Sequence, residues 1–195
     1  MLFLGVLFGL YTAAVVYALG SFLEERFPHE ETPFYTAFFS SAGVEEAVKF
    51  LFLFFLIWGN RNFNEPLDGI VYGVFVSLGF AWAENVIYVT HPILGGYETA
   101  FARAMLSVPG HGLFGVRMGY YFALGKYRSR KRYLPLAFFS PYLAHALYNY
   151  FLLKRESVFW LFFSVLEARL WVFGLKRIKE LQNCSPFREK VSKES

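Results

Sequence analysis

The chain has few charged residues and a single cysteine, and both features limit the classes of protein to which it can belong. Charged side chains make up 17% of the 195 residues, whereas soluble domains contain about 25%. Cys184 stands alone in a polar segment, so no disulfide can form within the chain. The long apolar runs lack the alternation of membrane-spanning strands, and no aromatic–basic RNA-binding motif is present. Together these absences exclude three classes of protein: a soluble globular protein, a small protein held together by disulfides, and a nucleic-acid-binding protein.

Apolar side chains dominate what is present. The chain is 56% hydrophobic and 22% aromatic, with a mean hydropathy of +0.37. Its apolar runs reach the length of about 20 residues that crosses a hydrocarbon core of about 30 Å, and backbone groups in lipid must pair within helices. We therefore predict an all-α polytopic membrane helix bundle with six transmembrane helices, at 2–22, 35–58, 67–90, 101–125, 133–153 and 157–175.

These spans leave no room for a separate soluble domain. We predict one integral-membrane domain at 1–175 with its core at 35–153, followed by a basic, partly disordered tail at 176–195. An alternative interpretation of the first span is a signal peptide, because Ala18-Leu19-Gly20 resembles a small-residue cleavage site. Its apolar stretch is too long and it lacks a basic start, so a retained membrane helix is the preferred interpretation.

Lysine and arginine predict the orientation. The loop 126–132 carries five basic residues, the segment after Leu175 carries six, and Arg61 lies in a third loop on the same side. That side holds 12 basic residues and the opposite side holds four, together with acidic residues in 24–31. The positive-inside rule then places both termini in the cytoplasm, with the chain in the cell (inner) membrane. The pI of 9.1 reflects these charges facing anionic lipid.

Ionisable groups interrupt four of the apolar spans. The groups are Glu45, Glu46 and Lys49 in the second span, Glu84 with Asn85 in the third, His111 in the fourth, and His145 with Asn149 in the fifth. Each charge near a bilayer centre costs roughly 2.5–3.5 kcal/mol. Three isolated glutamates would cost about 8–10 kcal/mol, comparable to the stability of a typical domain. We therefore expect these groups to meet one another inside the bundle.

Helical spacing and depth support that convergence. Glu45 and Lys49 share one helix face at i,i+4, as do His145 and Asn149. At about 1.5 Å per residue, the glutamates and histidines of all four spans fall roughly 9–18 Å below the predicted outer edge. The orientation came from loop charges alone, so the agreement in depth is independent support for a shared site.

Small residues predict where helices approach closely. Gly69, Gly73 and Ser77 recur at four-residue spacing in the third span, and Gly115 and Gly119 do so in the fourth. The run Pro109-Gly110-His111-Gly112 predicts a distortion of the fourth helix beside His111, in a cavity that water can enter.

The polar groups suggest hydrolysis. A buried glutamate beside a second carboxylate is a plausible general base for water. The two histidines could share proton transfer or hold a metal, and Asn149 could donate to a developing oxyanion. Glu45, Glu46, His111 and His145 could together bind zinc. A zinc site and a metal-free site both remain open at this point.

Four segments carry a family resemblance. They are GVEEAVKF (43–50), DGIVYGVFVSLGFAWAEN (68–85), Arg103 with PGHGLFG (109–115), and HALYN (145–149). At these residues, over about 40–150, the chain resembles the PrsW family of intramembrane proteases, within the clan of CAAX prenyl endopeptidases and Abi proteins. The resemblance implies a glutamate- and histidine-dependent peptidase that cuts membrane-bound proteins near the outer face. The family's named member cuts a membrane-bound anti-sigma factor.

The resemblance also implies residue roles. Glu45 and His111 would activate water, Glu46 would assist, and His145 with Asn149 would stabilise the oxyanion. Glu84 and Asn85 match the family motif without a clear role, and Lys49 and Arg103 are supporting candidates. The expected partners are the bilayer and a single-pass or membrane-bound protein substrate, with no nucleic acid. Neither the oligomeric state nor the use of zinc follows from the resemblance.

Simpler interpretations compete at each position. Glu45 with Lys49 could be a structural ion pair, the histidines could be core or interhelical hydrogen-bonding residues, and Arg103 could anchor lipid. Arg117 and Arg169 are assigned structural roles, snorkelling or pairing with Glu167 or a site carboxylate. As whole functions, a proton-coupled carrier and a non-catalytic membrane adaptor are the alternatives to a protease.

Overall fold

The computed structural model describes residues 2–26, 32–91 and 95–187. Those residues form helices and connecting turns without a β-strand, which confirms the predicted all-α bundle. The helices are α1 (Leu2–Arg26), α2 (33–57), α3 (Pro66–Thr90), α4 (Tyr97–Met105), α5 (Ser107–Tyr127), α6 (Arg130–Lys154) and α7 (Ser157–Asn183). They correspond to the six predicted spans, with α4 and α5 sharing the fourth.

Helix α2 alternates between α-helical and π-helical turns. It starts as an α-turn at Pro33–Tyr35, widens to a π-helix over Thr36–Gly43, continues as α-helix over Val44–Phe52 and ends in a π-helix over Leu53–Ile57. A Cβ atom at Gly43 would lie 2.8 Å from the Phe38 carbonyl oxygen, so the junction requires glycine. Wide turns of this kind are frequent at functional sites, and here they flank the segment that carries both glutamates and Lys49.

Helices α3 and α5 form the centre of the bundle, and their backbones touch. A Cβ atom at Gly69 would lie 2.7 Å from the Gly119 carbonyl oxygen, and one at Gly115 would lie 2.7 Å from that of Gly73. This is the close approach that the small residues predict. Helix α1 packs against α3 and Val44–Phe52, α6 packs against α5 and the first π-helix, and α7 packs against α5 and α6.

The fourth span breaks one turn earlier than the sequence suggests. The break lies at Leu106 between α4 and α5, whereas His111 sits inside regular helix, so the prediction of a distortion beside His111 is wrong in position. Pro109 is the third residue of α5, where its missing N–H leaves no bond unmade. The Leu106 carbonyl oxygen accepts from the Gly110 N–H at 3.0 Å and from the Tyr148 hydroxyl at 3.0 Å, so Tyr148 adds a second hydrogen bond at the break.

The last helix is longer than its apolar span. The predicted span ends at 175, but α7 continues for two more turns to Asn183. The extension is amphipathic: Leu181 is buried and Ile178 packs against the main core cluster. The first residues of the segment predicted as a basic, partly disordered tail, 176–183, are therefore helical, because the apolar positions Ile178 and Leu181 dock onto the bundle. Residues 188–195 lie outside the described residues.

The distribution of polarity is that of a membrane protein. By length and composition, two of the described helices, α3 and α7, could each cross a bilayer, and a shorter apolar helical stretch runs from Tyr11 to Phe22. Large apolar side chains point outward, as at Phe55, which is 75% exposed, and Val172, which is 67% exposed. The Glu46 and Lys49 side chains are completely buried. Polar groups in the centre and apolar groups outside suit lipid as the surrounding solvent.

Candidate active site

Lys49 lies at the centre of the site. Its ammonium donates to Glu46 Oε1 at 2.8 Å and to Glu45 Oε2 at 3.4 Å, both on its own helix. It also lies 3.1 Å from His111 Nδ1 on α5 and 4.2 Å from the centre of the Phe80 ring on α3. An ammonium has three donors, and these three acceptors use all of them. The Val44–Phe52 segment thus places one buried cation between two carboxylates and an imidazole.

His111 is held from both sides of its ring. Its Nε2 lies 3.0 Å from Glu84 Oε2 on α3, while its Nδ1 faces the Lys49 ammonium. Because an ammonium only donates, Nδ1 must accept, and Nε2 carries the proton and donates to the carboxylate. The Lys49 contact therefore fixes the tautomer of His111, and Glu84 fixes its orientation.

Arg103 contacts both Glu84 and Asn85 and connects them to the rest of the site. The Arg103 guanidinium forms an ion pair with Glu84 at 2.7 Å, donates through Nε to Asn85 Oδ1 and donates to Ser107 Oγ at 3.1 Å. It also stacks over Tyr88, 4.1 Å from the ring centre. Arg103 thus connects α4 to α3 and to the first turn of α5. The family motif that ends at Asn85 serves here to position Glu84, which in turn positions His111.

His145 and Asn149 on α6 complete the network. His145 Nδ1 lies 2.9 Å from Glu46 Oε1, and its ring stacks on Phe114 at a centroid distance of 4.6 Å. The Asn149 amide donates to His145 Nε2 at 3.1 Å. Since a carboxylate only accepts, His145 carries its proton on Nδ1 and accepts through Nε2. His145 Nε2 also lies 4.0 Å from Glu45 Oε2.

Ser41 links the two ends of this network. Its hydroxyl accepts from the Asn149 amide at 2.8 Å and donates to Glu45 Oε1 at 2.9 Å. Ser41 lies four residues before Glu45, on the same spacing that joins His145 to Asn149. The i,i+4 rule could have identified it from the sequence. The aromatic neighbours Phe80, Phe114 and Tyr148 have no comparable sequence signal, because their contacts come from other helices.

A cavity of about 330 Å³ opens onto part of this network, and Ser41 lies between the cavity and Glu45. Its polar lining consists of Thr36, Ser41, Glu84, Tyr88, Arg103, Ser107, His111, His145, Tyr148 and Asn149, and the remaining walls are apolar. The volume lies at the lower end of the range of about 300–1,000 Å³ for ligand pockets. The cavity adjoins the break between α4 and α5 at Leu106, so it has room for a short extended segment of another chain.

Charge pairing offsets the burial of the three glutamates. Lys49 neutralises part of the charge of Glu45 and Glu46, and Arg103 pairs with Glu84. With both histidines neutral, three carboxylates and two cations leave a net charge of −1. The convergence that the sequence predicts is thus present, and the cost expected for isolated glutamates does not arise in full.

The same side chains have the composition of a zinc site. Glu45, Glu46, His111 and His145 each offer one ligand atom, and these atoms lie within 4.8 Å of one another. Carboxylate and imidazole groups are usual zinc ligands. Glu46 Oε2 is buried and has no hydrogen-bond partner among the described residues, so it is available to a cation. The donor set fits zinc in its chemistry.

The Lys49 ammonium would interfere with the binding of a metal ion by these four side chains. Its ammonium already pairs with three of the four candidate ligands, Glu45, Glu46 and His111. A divalent ion among these groups would lie close to the ammonium, and the two cations would repel each other. A metal ion held by these four side chains would therefore compete with the Lys49 ammonium for three of them.

A membrane helix bundle that buries two glutamates and two histidines in one hydrogen-bond network beside a cavity is typical of a membrane-embedded hydrolase. Residues 1–173 match the family described as PrsW family intramembrane metalloprotease, and the chain belongs to this family. The class is thus a membrane peptidase, as the motifs predict.

Several curated relatives carry the name Protease PrsW. The protein from Geobacillus kaustophilus is 40% identical over 152 residues, which cover 76% of this chain and 65% of the relative. The one from Oceanobacillus iheyensis is 39% identical over 181 residues, covering 92% and 80%. The one from Bacillus subtilis is 36% identical over 154 residues, covering 77% and 68%. No solved structure matches the chain.

Proposed function

We propose that this chain is an intramembrane endopeptidase that hydrolyses peptide bonds of membrane-anchored proteins with glutamate-activated water. The observation that carries the proposal is the continuous hydrogen-bond network from Glu84 through His111, Lys49, Glu46 and His145 to Asn149, beside a cavity. Glu45 joins this network through Lys49 and Ser41, so a base, proton carriers and an amide donor lie close to the cavity that a peptide bond would enter.

Glu45 is the proposed general base. Its Oε2 is 3.4 Å from the Lys49 ammonium and 4.0 Å from His145 Nε2, and its Oε1 accepts from the Ser41 hydroxyl at 2.9 Å. Glu46 is fully buried, and its Oε1 is engaged at 2.8 and 2.9 Å by Lys49 and His145. Ser41 lines the cavity and Glu45 is 5% exposed, so Glu45 is the carboxylate nearer to a water molecule in the cavity, while Glu46 holds its two partners in place.

The proposed reaction needs one proton relay. Glu45 takes a proton as the water oxygen attacks the carbonyl carbon of the peptide. The tetrahedral intermediate collapses when the leaving amine is protonated; His145 Nε2 lies 4.0 Å from Glu45 Oε2 and must exchange its Asn149 contact for Glu45 and approach by about 1 Å to pass that proton on. A metal ion bound by the glutamates and histidines would supply Lewis-acid activation of the water and the carbonyl oxygen.

Asn149 is the proposed oxyanion donor. Its amide N–H groups donate to Ser41 and to His145 in the described arrangement. A substrate carbonyl oxygen entering the cavity would replace Ser41 as the acceptor. A single oxyanion donor contributes a factor of roughly 10²–10³ to kcat.

The role of His111 in water activation stays a prediction. Both of its ring nitrogens are engaged, one by Glu84 and one by Lys49. His111 can take a proton from water only if the Lys49 ammonium moves away from Nδ1. In the described arrangement its contribution is to hold Lys49 next to the two carboxylates.

The substrate proposed is a single-pass membrane protein cut near the outer face, with a membrane-bound anti-sigma factor as a candidate from the family resemblance. Both the outer position and the cytoplasmic termini rest on the loop charges. The cavity is large enough for a few residues of extended chain, so the substrate helix must unwind locally at the scissile bond.

The test compares two glutamate-to-glutamine variants in liposomes that contain a single-pass reporter protein. Glu45→Gln should lower the cleavage rate at least 10²-fold while the protein keeps its thermal melting profile. The control Glu25→Gln makes the same chemical change at an exposed position of α1 and should cleave like the wild type. Cleavage by Glu45→Gln at the wild-type rate would contradict the proposal.

A further inference from the structure

A second cavity lies between α5 and α7, and it is strongly basic. We call it the basic pocket; its volume is about 460 Å³ and its lining is Arg117, Ala168, Arg169, Val172, Phe173, Lys176 and Arg177. Four of these residues are cationic and none is acidic. Arg117 lies six residues beyond His111 along α5, roughly 9 Å further along the helix axis, so the basic pocket is separate from the catalytic network.

Two of the guanidinium groups are held in place by an aromatic side chain. Arg117 lies over the Phe173 ring at 4.6 Å and donates through Nε to Ser140 Oγ on α6. Arg177 lies over the same ring at 5.3 Å and over Tyr120 at 5.0 Å. Cation–aromatic contacts of this kind orient a guanidinium while leaving its remaining donors available. The pocket thus presents fixed donors from two helices.

The charge of the pocket is largely uncompensated. Arg177 pairs with Glu180, but Arg117, Arg169 and Lys176 have no carboxylate partner among the described residues. The sequence-based expectation that Arg117 or Arg169 pairs with Glu167 or with a site carboxylate is therefore not met in the described structure. The Arg177 Nε is buried and has no hydrogen-bond partner there either. Arg169 and Lys176 are exposed and Arg117 is half-buried, so these gathered positive charges can attract an anion.

The position of the pocket indicates where that anion comes from. Helix α7 begins at Ser157, and Lys176 lies 19 residues further along it. The distance along the helix axis is about 28 Å, which is close to the thickness of the hydrocarbon core. The loop charges predict that this end of α7 faces the cytoplasm. The pocket therefore extends from the cytoplasmic headgroup level into the inner leaflet.

Apolar surface continues from the pocket along α7. Val172 is 67% exposed, and Leu175 and Leu161 on the same helix are 62% and 63% exposed. Acyl chains could pack along this surface while a phosphate reaches the arginines. Free phosphate would gain nothing from the apolar side chains. Basic pockets between transmembrane helices on the cytoplasmic side are known to bind anionic lipid headgroups.

We propose that the basic pocket binds the phosphate headgroup of an anionic phospholipid, with Arg117 and Arg169 as its principal contacts. The bound lipid joins α5, which carries His111, to α7. Binding is therefore expected to stabilise the packing of α7 on the bundle. The proposal does not depend on the peptidase mechanism.

The test measures binding of short-chain phosphatidylglycerol, short-chain phosphatidylcholine and inorganic phosphate to the purified full-length protein in a neutral detergent. The readouts are thermal shift and native mass spectrometry. Wild-type protein should bind phosphatidylglycerol at least tenfold more tightly than phosphatidylcholine. The double variant Arg117→Gln/Arg169→Gln should lose at least tenfold in affinity for phosphatidylglycerol.

The control removes the same charge from the same predicted side of the membrane. Arg61→Gln/Arg132→Gln replaces two exposed arginines outside the pocket and should change the affinity less than twofold. If the pocket double variant does not fold, the single variant Lys176→Gln is tested in its place, because Lys176 is exposed. It should weaken the binding of phosphatidylglycerol at least threefold. Equal losses in pocket and control variants, or no preference for phosphatidylglycerol, would overturn the proposal. Binding of inorganic phosphate as tight as that of the lipid would overturn the assignment to a lipid.

Discussion

Removing the Lys49 ammonium should convert the buried cluster into a much tighter metal site. The substitution Lys49→Met keeps the length of the side chain and removes its charge. In the wild type the ammonium lies within 3.4 Å of Glu45, Glu46 and His111, three of the four candidate ligands. The variant leaves two buried carboxylates without their cation, and a divalent ion is the natural replacement.

The size of the effect follows from Coulomb's law. Two unit charges 4 Å apart interact with about 4 kcal/mol at an effective dielectric constant of about 20. A divalent ion at that distance from the ammonium would thus be repelled by about 8 kcal/mol. Lys49 can relieve most of this by moving, but if only about 2 kcal/mol remains, the affinity changes roughly thirtyfold. We therefore expect Lys49→Met to bind Co²⁺ or Zn²⁺ at least thirtyfold more tightly than the wild type.

The assay is a Co²⁺ titration of the purified protein, followed by visible absorption bands and by metal content after desalting. Metal should also raise the melting temperature of Lys49→Met more than that of the wild type, because breaking a buried ion pair costs about 3–5 kcal/mol that the ion can restore. Lys49→Met/Glu45→Gln is the charge-balanced control for folding. Equal metal affinity in wild type and Lys49→Met would refute the competition between the two cations.

Further predictions concern single positions. Asn149→Ala should lower kcat by roughly 10²–10³ with little change in KM, because the amide is needed only when the oxyanion forms; steady-state kinetics on the reporter protein measures this. Gly115→Leu should destabilise the fold strongly, since even a Cβ atom there would lie 2.7 Å from a backbone oxygen of α3; thermal melting measures it, and an unchanged melting temperature would mean that α3 and α5 are further apart. Glu84→Gln should lower kcat less than Glu45→Gln does, because Glu84 acts by orienting His111; equal losses would place Glu84 in the chemistry itself. Neutralising the basic residues of 126–132 should weaken or invert the orientation; an unchanged cysteine-accessibility map would show that other loops set it.

Much of the fold follows from the sequence because lipid imposes strict rules. Apolar length fixes the number of spans, and the glycines at 69, 73, 115 and 119 identify the helix pair at the centre. The break at Leu106 and the extension of α7 to Asn183 depend on tertiary contacts. Tyr148 supplies a donor near the break, and Ile178 and Leu181 find a core to pack against. Apolar length carries no information about either contact.

The residues of the candidate site can largely be predicted from the sequence, because polar groups in apolar spans must meet one another. The sequence does not predict which of these residues contact each other across helices. Sequence spacing pairs Glu45 with Lys49, but it does not show that Lys49 also reaches His111 on another helix. The role of Glu84 and Asn85 needs the position of Arg103, which the short helix α4 provides. These contacts depend on how α3, α4 and α5 are rotated against one another.

The most direct test of the central claim is the origin of the oxygen in the cleaved product. The reporter protein is incubated in ¹⁸O-labelled water with wild type or Glu45→Gln in liposomes, and the new C-terminus is examined by mass spectrometry. The account predicts one ¹⁸O atom in the new carboxylate with wild type and at least 10²-fold less product with Glu45→Gln. Undiminished ¹⁸O-labelled product from Glu45→Gln would contradict the assignment of Glu45 as the base.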